Sequence, residues 1–126
     1  MSYIILVVED EPDIRDLISM QLEAPGREFL FAGNGEEAIE VLSKNKIDFM
    51  ITDLAMPKMN GFEMLRKIKK HGWVFPVMVL TGHADVMVAN QLRPYGVEFF
   101  MNKPWEKELL ENTVKQVMSR VPAKAI

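Results

Sequence analysis

The run Tyr3-Ile4-Ile5-Leu6-Val7-Val8 constrains this chain more than any other stretch. Its residues are apolar and mostly β-branched, and they do not alternate with polar ones. A strand of that kind is buried on both faces, as in the middle of a parallel sheet covered by helices. The run breaks into Glu9-Asp10-Glu11-Pro12-Asp13. Pro12 suits the first turn of a helix, and the acids suit its positive end.

The same alternation continues along the chain. Ile14, Leu17, Ile18 and Leu22 follow helical spacing, and Pro25-Gly26 ends that helix. Glu28 to Ala32 is a weaker strand. Asn34-Gly35 reads as a turn before a helix over 36–44. Phe49 to Thr52 is a third strand, ending on Asp53. A loop with Pro57 leads to Gly61 and to a helix marked by Phe62, Leu65 and Ile68. Pro76 to Thr81 is a fourth apolar strand, broken by Gly82. Asp85 is the expected N-cap of a short helix through Val86, Ala89 and Leu92, which Pro94 and Gly96 cut short. Val97 to Met101 is the fifth strand. Asn102-Lys103-Pro104 turns the chain into a last helix, 106–120, with Leu110, Val114, Val117 and Val121 on one face. Five strands alternating with five helices predict an α/β fold, an open parallel sheet with helices on both faces. Ligands in such sheets bind at the carboxyl ends of the strands.

The remaining features narrow the function. At 126 residues the chain is one domain, burying about two thirds of its unfolded surface. It has no cysteine, so thiolate chemistry and disulfides are excluded. Its net charge of −3 with interspersed signs gives no basic stripe, so direct nucleic-acid binding is not expected. Tyr3 to Val8 is too short for a membrane span and has no basic leader, so no membrane role is expected and the cytoplasm is the expected location. Phe29, Phe31, Phe49 and Phe99 read as packing, and Arg66 to Lys70 as a solvated helix end. Trp105 reads as an edge aromatic able to touch a partner.

The strand ends collect Glu9 and Asp10, Asp53, Thr81 and Lys103 at one sheet edge. Three neighbouring carboxylates repel unless a cation intervenes. Mg²⁺ answers that need, because it takes oxygen ligands and fills its shell with water and phosphate oxygens. A carboxylate is already ionised at neutral pH and can attack phosphorus without a general base, while a metal, a lysine and a hydroxyl neutralise the incoming oxygens.

Val8-Glu9-Asp10-Glu11-Pro12, Thr52-Asp53 through Asn60-Gly61, Leu80-Thr81-Gly82 and Asn102-Lys103-Pro104 together resemble the receiver (phosphoacceptor) domain of bacterial two-component response regulators. The resemblance runs from Tyr3 to about Arg120, giving a receiver domain over 1–121 and a tail or linker start over 122–126. It implies a flavodoxin-like (βα)5 three-layer sandwich with strand order 2-1-3-4-5. It also implies that Asp53 is the phosphoacceptor. Asp10, Asp53 and the Ala55 carbonyl become direct Mg²⁺ ligands, and Glu9 an acid acting through water. Thr81 and Lys103 become the phosphoryl-sensing pair, Phe100 the aromatic switch, and Lys103-Pro104 a cis bond that aims the lysine. The implied partners are a sensor histidine kinase or histidine phosphotransfer protein, and a downstream effector. A homodimer through the face of the fourth helix, fifth strand and fifth helix is possible in this family.

Departures from the family pattern are Glu9 for the commoner aspartate, Gly82 for alanine, and Pro94, which is expected to alter the output face. Ala55 and His83 flank the site and are expected to set the lifetime of an acyl phosphate. Rival readings are a Mg²⁺-dependent aspartyl-phosphate phosphohydrolase, a flavin-binding protein, and a receiver-like module that works without phosphorylation. Ala55 stands where the hydrolase needs a second acid. Acids stand after the first strand, where a flavin site needs a Ser/Thr/Gly-rich loop. The complete set of acids, threonine and lysine argues against the unphosphorylated module.

Overall fold

The structure is a computed structural model describing residues 2–56, 58–82 and 86–120, with the side chain of Val86 excepted. Five strands and five α-helices alternate: β1 (Tyr3–Val8), α1 (Pro12–Leu22), β2 (Arg27–Ala32), α2 (Gly35–Lys44), β3 (Phe49–Thr52), α3 (Gly61–His71), β4 (Val77–Thr81), α4 (Val86–Leu92), β5 (Val97–Asn102) and α5 (Lys107–Arg120). The strands form one parallel sheet in the order β2-β1-β3-β4-β5. The expected fold and strand order are therefore observed.

The absence of alternation in the strands has a direct cause. Leu6, Val8, Met50, Val77 and Val79 point to one face, where Ala38, Leu42, Met64, Leu65, Ile68 and Leu92 of α2, α3 and α4 cover them. Ile5, Val7, Phe49, Ile51, Met78 and Leu80 point to the other, under Ile18 and Leu22 of α1 and Leu110, Val114 and Val117 of α5. Burying one leucine-sized side chain contributes about 1.5–3 kcal/mol, so the two-sided core is a main source of the sheet's stability.

Three local expectations are corrected. Asn34-Gly35 is not a free turn: Asn34 is the N-cap of α2 and accepts from Glu37 N at 3.0 Å, while Glu37 reaches back to Gly33 N. A side-chain oxygen there satisfies an amide that the helix leaves unbonded. Leu17 is 41% exposed although its spacing suggested an inward position, because the inward stripe of α1 is narrow and centres on Ile18 and Leu22. Phe31 is 42% exposed, since its strand is the sheet edge and one flank lacks a neighbour. The expected cap Asp85 and the expected core residue Val121 lie outside the described residues.

Pro94 acts as expected. The α-helix stops at Leu92, and Arg93–Tyr95 form a 3₁₀ turn closed by Gly96 at φ +84°. Lys69 of α3 holds this turn by donating to the Pro94 carbonyl at 3.2 Å and lying 5.4 Å from the Tyr95 ring centre. In β5 the register slips by one residue at Glu98, so Phe99 faces the α1/α5 layer and Phe100 the α4 layer.

Candidate functional site

The carboxyl ends of β1, β3, β4 and β5 meet at one edge because the four strands are adjacent and parallel. Asp53 N donates to Val8 O at 3.1 Å, which joins the end of β3 to the end of β1. Lys103 N donates to Thr81 O at 3.0 Å, which joins the chain after β5 to the end of β4.

The Asp53 carboxylate is oriented from both sides. Its Oδ1 accepts from Leu54 N at 2.6 Å and from Ala55 N at 3.3 Å. Its Oδ2 accepts from Lys103 Nζ at 2.7 Å. Lys103 Nζ also donates to Glu9 Oε1, so one ammonium bridges two carboxylates. Burial alone would lower the Lys103 value, but the bonds to Asp53 and Glu9 outweigh it and hold the ammonium above its ordinary value. Glu9 is 2% exposed, and burial pushes its carboxyl above the usual range despite the opposing pull of Lys103. Its Oε2 is buried without a hydrogen-bond partner.

The loop after Asp53 is folded tightly against the site. Gly61 N donates to Leu54 O at 2.9 Å, and Gly35 N to Met59 O at 3.1 Å. Lys58 has φ +64°, a left-handed conformation that costs a non-glycine residue about 1 kcal/mol or more. Asn60 caps α3 by accepting from Glu63 N at 3.0 Å. Neither cap was legible as a site element, although Asn60-Gly61 before Phe62 is a sequence signal for a helix start.

The sequence-derived residues thus fall into two groups. Glu9, Asp53 and Lys103 form the ion network. Asp10 and Ala55, both exposed, share an open groove of about 580 Å³ with buried Thr81. Among the described residues, no three acids or histidines converge closely enough to form a ready metal cluster, since Lys103 stands between Glu9 and Asp53. Phe100 is half-buried beside the α4 layer. The Lys103-Pro104 bond is cis. His83 lies outside the described residues. Trp105, expected as an edge aromatic after the turn, is half-buried, and its Nε1 donates to Gln21 Oε1 at 2.8 Å.

Residues 5–115 match the family model of the response regulator receiver domain. Transcriptional regulatory protein GlrR of Escherichia coli strain K12 is 30% identical over 116 residues, covering 92% of this chain and 26% of that protein. Sensor histidine kinase RcsC of Salmonella typhimurium is 33% identical over 93% of this chain and 12% of its own length. The chain therefore spans about a quarter or less of these relatives. Among solved structures, the signal receiver domain of a putative Luxo repressor protein from Vibrio parahaemolyticus has a TM-score of 0.89 at 26% identity, covering 95% of this chain and 92% of that one. Chemotaxis protein CheY4 of Vibrio cholerae has a TM-score of 0.85 at 28% identity, covering 93% and 99%.

Proposed function

This chain belongs to the response regulator receiver domain family, and on that premise we propose that Asp53 accepts a phosphoryl group from phosphohistidine on a sensor kinase or phosphotransfer protein. The observation that carries the reading is the double grip on Asp53. Two backbone amides hold Oδ1, and the Lys103 ammonium holds Oδ2. Positioning of this kind supplies most of the catalysis in phosphoryl transfer. Asp53 Oδ2 forms the new O–P bond as the donor's P–N bond breaks and its imidazole leaves. Lys103 then offers its charge to the transferred oxygens, and Thr81 its hydroxyl.

The donor set fits Mg²⁺. Asp10, Asp53 and the Ala55 carbonyl would hold the ion, with Glu9 acting through water, and all are the hard oxygen donors it prefers. The buried, unbonded Glu9 Oε2 supports this, because a lone carboxylate oxygen is costly without a cation or water partner. When bound, the ion neutralises charge on the phosphoryl oxygens. Drawing Thr81 toward the phosphoryl group biases the Phe100 side, and with it the face of α4, β5 and α5 that meets an effector. The domain is a signalling module on this reading. Ala55 in place of a second acid disfavours the hydrolase.

Incubation with Mg²⁺ and acetyl phosphate, followed by intact mass, tests the proposal. One phosphoryl adduct that Asp53→Asn abolishes is the expected result. No adduct at any Mg²⁺ concentration would sink it.

A further inference from the structure

We infer that Trp105 and Gln21 are positioning residues that set the reach of Lys103, an inference that rests on the phosphoacceptor reading above. Lys103 is anchored on both sides along the chain, by a backbone bond before it and a side-chain bond after it. On its amino side, its N–H is bonded to Thr81 O at the end of β4. On its carboxyl side, Pro104 and Trp105 lie along α1. Ile14, Leu17 and Gln21 stand at i, i+3 and i+7 of that helix and so form one stripe. With Lys103, Pro104 and Trp105 they line a groove of about 310 Å³. The half-buried indole belongs to the α1/α5 layer of the core, and its Nε1–H ends on Gln21 Oε1 at 2.8 Å.

The ring therefore works as a strut. Its root is two residues from Lys103, and its tip is fastened to the last turn of α1. The strut fixes the Cα from which the Lys103 ammonium must span both Glu9 and Asp53. A phenylalanine could fill the same apolar space but has no donor to fix the direction of the ring. The Trp105–Gln21 pair is thus a polar bond that ties the Lys103 turn to α1.

Four substitutions in the intact chain, and one pair of them combined, test this: Gln21→Leu removes the acceptor, Trp105→Phe removes the donor, Gln21→Glu keeps an acceptor, and Lys103→Met removes the group positioned. Uptake from acetyl phosphate with Mg²⁺ is followed by intact mass. Gln21→Leu and Trp105→Phe should each slow uptake about tenfold or more, the size of loss that an ångström-scale misplacement produces. Gln21→Glu should stay within about twofold of the parent, and Gln21→Leu in a Lys103→Met background should change the residual rate by less than about twofold. A second readout needs no phosphorylation. Brief labelling with an amine-reactive ester, mapped by peptide mass, should find Lys103 protected in the parent and in Gln21→Glu, and more reactive in Gln21→Leu. Unchanged uptake in Gln21→Leu, or an equal loss with and without Lys103, would overturn the positioning role while a parent adduct leaves Asp53 as phosphoacceptor. No adduct on the parent protein would overturn both.

Discussion

Gly61→Ala probes how closely the loop after Asp53 must approach α3. A Cβ on Gly61 would sit 2.8 Å from Leu54 Cα, 2.8 Å from Leu54 Cδ2 and 2.9 Å from Asp53 O. Carbon–carbon contacts are relaxed at about 3.5–4.0 Å, so relief requires a movement of roughly 0.7 Å or more. The Leu54 methyl can turn away. The other two contacts are main chain, immediately beside the phosphoacceptor, and the Gly61 N–H···O Leu54 bond at 2.9 Å holds the same approach closed. Overpacking of this kind costs about 1–3 kcal/mol. Alanine recovers up to about 1 kcal/mol through helix propensity and a less flexible unfolded chain. The net loss lies between about 0 and 3 kcal/mol with a central value of about 1–2 kcal/mol, which lowers Tm by roughly 3–8 °C for a domain of this size. Displacing the main chain at Asp53 should also slow phosphoryl uptake by about an order of magnitude. Thermal melting and the acetyl phosphate assay measure the two effects. Gly82→Ala is the matched control, because no described residue lies within 4 Å of its added Cβ; it should stay within about 0.5 kcal/mol of the parent. A Gly61→Ala protein that melts at or above the parent temperature would refute the steric argument.

Asn34→Ala removes the oxygen that caps α2 and should cost about 1 kcal/mol in denaturant unfolding, whereas a free turn at Asn34-Gly35 would leave stability unchanged. Leu110→Ala opens a cavity at a fully buried position on the inner face of α5 and should cost about 2–5 kcal/mol by the same measurement. Lys103 gives an alkaline test. Its folded value is raised, so its stabilisation is present below the unfolded value near 10.5 and is lost as pH rises through the folded value. Lys103→Met should therefore flatten the alkaline fall in Tm of the metal-free protein, and an identical fall in both would contradict the raised value. Adding Mg²⁺ should raise the Tm of the parent by mass action on the native state, and Asp10→Ala should remove most of that rise.

The order of apolar runs and polar breaks was sufficient to give a parallel sheet with helices on both faces, because a central parallel strand is apolar on both sides and each crossover must supply a helix, while the strand order followed from the family resemblance. The acids, threonine and lysine were legible for the same reason: each follows directly on an apolar run, and the carboxyl ends of parallel strands must share one edge. Tertiary structure decided what depends on distance between segments remote in sequence. Leu17 and Phe31 had inward-looking patterns, yet the described residues around them leave each about two fifths exposed. Asn34 is the exception, because its partner Glu37 stands only three residues on, a local pattern for a helix cap. No local pattern could show that the ammonium of Lys103 stands between Glu9 and Asp53 before any metal arrives. Nor could it show that the Trp105 indole ends on Gln21, 84 residues earlier in the chain. Periodicity encodes which face a residue occupies, a local property. A hydrogen bond across the fold requires two backbones to be held at a fixed separation, and only the packed core does that.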